Sequence, residues 1–494
     1  MRVLTGSIFA AVAVLYLRLV SPTWLLSPDS PDYVEGARSL VRLHGYLDVT
    51  GAPQTLAPPG TSFVYAVAAA IPSADFFSFN LLTKFLAIAF IALAYLVARR
   101  SAGDVVALIL VLFLALSERL LYESTNILSD IPFSAAFMLT LWLFPEDALE
   151  DPPVGAALTL GGLVALCYLM RTAGLFVFLG YVVYVALFAR AKRLRTIACV
   201  SGVFAVVAGL LWLRARYWGG SPSYFQLMLL KQAWVMDSGV PSPGEWVERI
   251  VSNGAATLRA AYVILSNKYW VVPNGLVMCA LTATGFAAAL VRRRAPLYAC
   301  LLVCYLAALL PQPFPPDSRY LLPILPLLAL CAAFGAQAIV DMFTSERART
   351  LAGLALVAIV VINPYWTNGV RVARGLRGDL DRMGAASIVY RRHEAFQALV
   401  ERHRGTLAPA DVVATMHANV LHYFLPVGTR VVNIPLTNDV ERLYRGLRET
   451  GTTVLYCDKN VPSWHNLEPV IRAHSASFQL VDENQSGAVY MFRP

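Results

Sequence analysis

The sequence predicts a polytopic α-helical membrane protein of about eleven transmembrane helices, followed by a C-terminal extracytoplasmic α/β domain. Three observations lead to this fold class. Of the 494 residues, 57% are hydrophobic and only 14% are charged, whereas soluble domains average about 45–50% apolar and about 25% charged residues. Apolar runs of span length recur up to about residue 366, with basic clusters between them. After residue 370, the composition becomes polar and short β-rich runs appear.

A transmembrane helix needs about 20 mostly apolar residues to cross the hydrocarbon core. The candidate spans lie near 3–20, 79–98, 104–121, 127–144, 154–171, 173–190, 196–213, 271–291, 296–311, 320–341 and 350–366. The apolar run that follows Pro58-Pro59-Gly60 is too short for a span. It therefore predicts an interfacial or re-entrant helix.

The basic clusters fix the orientation of these spans. If the N-terminus starts inside, four clusters fall on one side: 99–100, 190–195, 292–294 and 345–349. The positive-inside rule makes that side cytoplasmic. The segments on the extracytoplasmic side are then 21–78, 117–126, 214–270, 311–319 and everything after about 370. Because the net charge of +9 comes from such short clusters, it does not indicate nucleic-acid binding.

Two domains are predicted. Residues 1–369 form the transmembrane domain, whose first outer loop is about 21–78, and residues 370–494 form the extracytoplasmic domain. In the second domain, β-rich runs at 411–416, 430–435, 452–457 and 478–483 alternate with helical runs at 438–450 and 466–474. This alternation predicts a small, mostly parallel sheet. His417 and His465 follow predicted strands, and they are either ligand contacts or ordinary surface residues.

Neither a metal site nor a disulfide framework is indicated. Cys457 is the only one of the seven cysteines in the polar part, so that part has no internal pair. Cys300 and Cys304 lie one helical turn apart without a neighbouring histidine or acid, which favours small buried side chains over metal ligands. Asp29 and Asp32 would hold a divalent ion only with ligands from elsewhere, so metal dependence stays open.

The segment SPDSPDYVE at 27–35 brings three acids to the outer edge of the first span. Asp29 lies between two prolines that restrict the backbone around it. This placement suits a general base, and a solvated loop aspartate is the alternative. Asp32 and Glu35 have the spacing of a helix capping box, so capping is the simpler explanation for both.

Asp130, at another outer turn, also has both a functional and a structural interpretation. As an intramembrane acid it is a candidate functional residue, but Pro132 close behind it also fits the N-cap of a helix. Glu118, Arg119 and Glu123 share this turn and are interpreted as a solvated face.

Several stretches then follow one another in an order typical of a known superfamily. After the first-loop acid come a short helix, Gly45-Tyr46, Pro58-Pro59-Gly60 and a basic residue in the next span. The later stretches are 122–139, 166–178 and 317–335. Together they cover most of residues 27–335 and resemble the GT-C superfamily of polyprenyl-phosphate-sugar-dependent glycosyltransferases. This superfamily includes protein O-mannosyltransferases and the bacterial aminoarabinose transferase that acts on lipid A.

The resemblance implies a membrane enzyme that moves a sugar, with inversion, from a polyprenyl phosphate to a lipid, glycan or protein acceptor. It also implies membrane lipid as a partner, a tail domain outside the membrane and, most simply, a bacterial inner membrane. No cofactor beyond the lipid-linked donor is indicated. The alternative is a transporter or flippase of lipid-linked saccharide. Transporters place their polar residues near the midplane, often in two repeated halves, and neither feature is evident here.

The resemblance also suggests roles for individual residues. The first-loop acid of the family corresponds to Asp29, with Asp32 second, although members often have an adjacent acidic pair where this chain has Asp29-Ser30. Asp130 matches an acid at the outer start of a span. The expected phosphate-binding cations are Arg319, Lys84 and Arg171, the last of which is alternatively an interfacial anchor. The expected substrate contacts are Tyr33, Tyr320 and His44.

Overall fold

The computed structural model describes residues 2–20, 29–49, 51–72, 75–189, 191–218, 228–232, 238–266, 273–291, 295–347, 350–351, 396, 398–416, 418–421, 425, 429–434, 437, 439–459 and 464–494. The predicted boundary between residues 369 and 370 lies outside these residues. So does the predicted span 350–366, apart from its first two residues.

The described part of the membrane domain is helical. Its helices are α1 (Arg2–Arg18), α2 (Ser30–Val41), α3 (Gly60–Ala69), α4 (Phe76–Ala115), α5 (Glu118–Glu123), α6 (Asp130–Leu143), α7 (Val154–Met170), α8 (Gly174–Phe188), α9 (Arg193–Tyr217), α10 (Pro243–Ser266), α11 (Pro273–Val291), α12 (Pro296–Ala307), α13 (Ser318–Leu321) and α14 (Leu325–Val340). Each predicted span before residue 342 overlaps these helices, although 79–98 and 104–121 both fall on α4 and 320–341 runs over α13 and α14. The short α3 agrees with the helix predicted after Pro58-Pro59-Gly60.

By length and composition, three helical stretches of the described residues are able to cross a membrane: Phe76–Ala115, Arg193–Tyr217 and Ser318–Val340. Seven apolar helices are shorter, at 10–17 residues. The number of about eleven spans therefore stays a prediction.

Helix α4 contains a break at Gly103, where φ is 84° and ψ is 173°. Such a backbone conformation is readily adopted only by glycine. The two predicted spans 79–98 and 104–121 lie on either side of this break, within one long helix. The second span ends earlier than predicted, because the Ser117 side chain accepts a hydrogen bond from the Leu120 backbone N–H and begins α5.

One end of the bundle collects the predicted cytoplasmic turns. Arg100 pairs with Asp147, and the Lys192 ammonium lies 2.9 Å from the Asp151 carboxylate. The turns that follow residues 98, 144 and 189 therefore meet at the same end. This agrees with the threading that places the basic clusters on one side.

Helices α11 and α14 cross at their glycines. A Cβ atom built on Gly285 would lie 1.6 Å from the Cys331 carbonyl oxygen, and one built on Gly335 would lie 2.0 Å from the Leu281 carbonyl oxygen. The two backbones approach closely because neither glycine carries a side chain, as is common where helices pack inside membranes.

We expect Gly285→Ala to destabilise the protein, since the added methyl group meets the backbone of α14, which cannot rotate away. The expected loss is about 1–3 kcal/mol, the usual result of overpacking, and it should be visible as a lower melting temperature of the purified protein in detergent. Gly209→Ala on α9 is the matched control, because its Cβ would have no neighbour within 4 Å. Equal melting temperatures for the two variants would contradict the close crossing.

The tail contains a five-stranded sheet. Its strands are β1 (Val412–Thr415), β2 (Arg430–Asn433), β3 (Val454–Asp458), β4 (Phe478–Glu483) and β5 (Gly487–Phe492), in the order β2-β1-β3-β5-β4. Strand β1 is parallel to β2 and β3, whereas β5 is antiparallel to β3 and β4. The predicted mostly parallel sheet is therefore wrong for its β3–β5–β4 half.

The missed strand is β5, which follows β4 through a tight turn. The Asn484 side-chain oxygen accepts hydrogen bonds from the backbone N–H groups of Ser486 and Gly487 and so closes the hairpin. A two-stranded hairpin pairs antiparallel without a crossover. The helices predicted at 438–450 and 466–474 are confirmed as α16 (Val440–Glu449) and α17 (Trp464–Ala473), which come after the short α15 (Ala418–Leu421).

The start of the tail sheet lies beside the first outer loop, since α15, which follows β1, packs against α2. His417 lies outside the described residues. His465 is exposed in the first turn of α17, as expected of a surface residue rather than of a strand-end ligand.

Candidate functional site

Asp29 occupies the N-cap position of α2, and its side chain is 57% exposed. The helix begins at Ser30, and the Asp29 side chain makes no capping hydrogen bond. The predicted capping box at Asp32 and Glu35 is therefore wrong, because Asp32 already lies within the first helical turn. The Asp29 carboxylate is thus accessible and is not committed to capping the helix.

Helix α2 is held by its apolar side. Val34 and Ala37 are fully buried, whereas Val41 is 40% exposed. Gly36 lies so close to the Tyr46 ring that a Cβ atom there would be 2.6 Å from it. The returning loop therefore packs directly on the helix that follows Asp29.

Arg214, near the end of α9, holds this loop and was not predicted. Its guanidinium donates to the backbone oxygens of Gln54, at 2.5 Å, and Tyr46, at 3.0 Å. It also lies 5.2 Å from the centre of the Tyr46 ring. An arginine in the last turn of an apolar helix was the available signal, but its loop partners are about 160 residues away in sequence.

Asp130 lies at the start of α6 and is fully buried. The N-cap position belongs to Ser129, so the capping interpretation of Asp130 is wrong. One carboxylate oxygen accepts a hydrogen bond from Arg171, and the other accepts one from Arg319 Nε at 2.9 Å. A single buried carboxylate therefore joins two guanidinium groups.

Arg171 follows the last residue of α7 in an extended conformation, with φ −158° and ψ 140°. The preceding turn is fixed by α3, because Thr61 Oγ1 donates to the Met170 carbonyl oxygen at 2.9 Å. The Arg171 side chain is only 16% exposed, and its guanidinium lies 5.5 Å from the centre of the Tyr320 ring. It is therefore turned into the bundle, unlike an interfacial anchor.

Arg319 lies on the short helix α13, whose N-cap is Asp317. Besides its contact with Asp130, its Nη2 atom lies 3.5 Å from Asp29 Oδ2. Its side chain is 21% exposed. The four predicted residues Asp29, Asp130, Arg171 and Arg319 thus form one group, called here the Asp130 cluster.

Two predicted tyrosines border the Asp130 cluster. Burial raises the pKa of Tyr33 to about 12, and the negative charge of Asp29 acts in the same direction. The backbone oxygen of Tyr320 accepts a hydrogen bond from the Tyr305 hydroxyl at 3.0 Å, which holds the residue after Arg319. Substrate contact by either tyrosine stays a prediction.

The remaining predicted residues are not brought into the Asp130 cluster. Lys84 is fully buried in α4, where its ammonium donates to Ser124 Oγ at 2.9 Å and lies 5.9 Å from the centre of the Tyr16 ring. His44 is exposed just after α2, and Asp32 is half-buried one turn into that helix. The proposed phosphate contact of Lys84 therefore has no support in this geometry.

The acidic turn before α6 also differs from the prediction. Glu123 is 1% exposed and Arg119 is 16% exposed, so these residues do not form a solvated face. They pair with each other next to the Asp130 cluster. Among the described residues, no group of three or more histidine, cysteine or acidic side chains is placed to hold a metal ion.

Comparison with known proteins supports the predicted resemblance. Residues 57–214 match the family described as dolichyl-phosphate-mannose-protein mannosyltransferase. No curated protein sequence matches the chain.

Two solved structures share the fold over nearly the whole chain. ArnT from Cupriavidus metallidurans, bound to undecaprenyl phosphate, has 14% identity and a TM-score of 0.58, with 98% of this chain and 97% of that chain covered. The oligosaccharyltransferase AglB from Archaeoglobus fulgidus, in complex with an inhibitory peptide and a dolichol-phosphate, has 11% identity and a TM-score of 0.55. There the coverage is 99% of this chain and 74% of that chain. Residues 57–214 thus match a mannosyltransferase family model, and the chain as a whole shares the fold of the ArnT and AglB structures.

Proposed function

We propose that the protein moves a sugar from a polyprenyl phosphate to an acceptor on the extracytoplasmic face of a membrane. The observation that carries this proposal is the Asp130 cluster. Two arginines from distant parts of the chain meet there beside one exposed carboxylate, at the end of the helical bundle opposite the basic turns.

Arg171 and Arg319 bind the donor phosphate. A guanidinium donates two parallel hydrogen bonds to phosphate, and the charge is permanent at physiological pH. When the bond between sugar and phosphate breaks, negative charge grows on the departing lipid phosphate. Because Asp130 already holds both guanidiniums in place, they stabilise that charge without having to reorganise.

Asp29 acts as the general base. Its exposed carboxylate accepts the proton of the attacking hydroxyl or amine as the acceptor adds to the sugar. The Asp29 carboxylate lies 3.5 Å from Arg319, so base and leaving-group cations are close enough to flank one sugar. A single displacement of this kind inverts the configuration at the sugar carbon.

The solved relatives support the class of donor. The ArnT structure contains undecaprenyl phosphate, and the AglB structure contains a dolichol-phosphate together with a peptide. By analogy, the lipid carrier here is a polyprenyl phosphate, and the acceptor is a lipid, a glycan or a protein. We place the enzyme in a bacterial inner membrane with residues 370–494 outside, and the packing of α15 against α2 supports a tail on the same side as the site.

The test is transfer of labelled sugar from polyprenyl-phosphate donors in proteoliposomes, comparing the wild type with Arg319→Met. We expect wild-type transfer and a loss of kcat/KM of about 10²–10³-fold in the variant, the usual effect of removing one group that stabilises developing charge. Arg100→Met is the matched control, because Arg100 pairs with an exposed acid at the opposite end of the bundle and should leave transfer intact.

Two results would contradict the proposal. Full activity of Arg319→Met would remove the phosphate-binding role of Arg319. Absence of transfer from any donor, together with movement of lipid-linked saccharide across the bilayer, would identify a transporter.

A further inference from the structure

A second set of charged side chains lies directly behind Arg319. Arg119 Nη2 is 2.9 Å from Glu123 Oε1 and 3.3 Å from Asp317 Oδ2. Glu123 and Arg119 belong to α5, and Asp317 precedes α13, against which α5 packs. These three residues are called here the Arg119 bridge.

The Arg119 bridge reaches Arg319 through the backbone. Asp317 Oδ1 accepts a hydrogen bond from the Arg319 backbone N–H at 2.6 Å and so caps the four-residue helix α13. A helix this short has little internal stability, because nucleation of the first turn is unfavourable. The position of Arg319 therefore depends on where the Asp317 carboxylate is held.

Glu123 makes the Arg119 bridge rigid. Its carboxylate is almost completely buried, while Asp317 is 60% exposed. Burial raises the pKa of Glu123, and the charge of Arg119 acts in the opposite direction. A buried carboxylate needs its cation partner, since an unpaired charge in such a position is strongly unfavourable. Arg119 is thus fixed from its buried side and presents the same guanidinium nitrogen to Asp317.

We propose that Glu123 and Arg119 are positioning residues for Arg319, which set the place where the donor phosphate binds. The proposal rests on the proposed function and assigns to these residues no contact with the substrate. It explains why an ion pair is buried beside a site that otherwise needs only Asp29, Asp130 and two arginines.

Glu123→Gln separates positioning from simple electrostatics. Glu123 is one of the negative charges that act on Arg319. If only its charge mattered, the neutral variant would bind the anionic donor more tightly, because a repulsive charge would be gone. Positioning predicts the opposite sign, since a displaced Arg319 binds phosphate less well.

The experiment measures kcat and the donor KM in proteoliposomes for the wild type, Glu123→Gln, Arg119→Met and the double variant. We expect each single variant to lower kcat/KM by roughly 10- to 100-fold, the usual effect of misplacing a group by about 1 Å. Most of that loss should appear in the donor KM. The double variant should be little worse than either single variant, because both break the same connection. Glu118→Gln, on the same short helix, is the matched control.

Asp317→Asn and Asp317→Ala keep the test informative if the buried variants fold poorly. Asparagine retains the capping oxygen but loses the ion pair with Arg119, whereas alanine loses both. We expect the donor KM to rise in Asp317→Asn and to rise further in Asp317→Ala, with the melting temperature close to that of the wild type for this exposed position.

The outcomes separate the two proposals. An active wild type whose donor KM is unchanged or lower in a folded Glu123→Gln variant, and unchanged in Asp317→Asn, would overturn the positioning role alone. A wild type that transfers no sugar would overturn the proposed function, and the positioning role with it.

Discussion

Replacing Asp29 with asparagine is expected to lower the rate of sugar transfer by about 10²–10⁴-fold, the range associated with loss of a general base. Asparagine keeps the shape of the side chain but does not accept the acceptor's proton. The residue is 57% exposed and does not cap α2, so folding should be unaffected. Because Arg171 and Arg319 remain, the donor should still bind.

The measurement is single-turnover transfer at saturating donor, with donor binding followed separately. Asp32→Asn is the control, since its carboxylate lies one turn further along the same helix. A large loss in kcat with an unchanged donor KM would assign the base to Asp29. Transfer that survives in Asp29→Asn and disappears in Asp32→Asn would instead make Asp32 the base.

Replacing Asp130 with asparagine is expected to destabilise the folded protein by about 3–5 kcal/mol, as is typical when one member of a buried ion-pair group is removed. The carboxylate is the shared partner of Arg171 and Arg319, whose side chains are only 16% and 21% exposed. A neutral amide leaves two positive charges close together without the group that neutralises both. Donor binding should weaken as well, because the two guanidiniums repel each other.

Thermal unfolding of the purified protein in detergent measures the first effect, and donor KM measures the second. Asp147→Asn is the matched control, because this 70% exposed acid pairs with Arg100 at the other end of the bundle. Its removal should change stability by less than about 1 kcal/mol. A melting temperature for Asp130→Asn equal to that of the control would show that the Asp130 cluster does not depend on its central charge.

The sequence predicts the helices of the membrane domain well because an apolar run has few other ways to satisfy its backbone in a bilayer. It also makes Asp29, Asp130, Arg171 and Arg319 candidates, because they match positions of the superfamily that the sequence resembles. It does not show that they meet. Their contacts depend on how helices far apart in sequence pack.

The failures have the same origin. The sequence does not show that Lys84 donates a hydrogen bond to Ser124 once the helices pack, and its phosphate contact stays a prediction. Glu123 lies in a turn of charged residues that the sequence predicts to be exposed to solvent. The helices packed around this turn bury its side chain. The sequence analysis does not predict strand β5. The alternation of strands and helices predicts a mostly parallel sheet, but the last two strands form an antiparallel hairpin.

The hydrogen bonds of Arg214 to the first outer loop determine which parts of that loop can change. Arg214 binds the backbone oxygens of Tyr46 and Gln54, atoms that every amino acid provides. These two hydrogen bonds therefore do not depend on which side chains residues 46 and 54 carry. A substitution of the exposed Ala52, between them, would change the surface of this loop and leave both backbone hydrogen bonds in place.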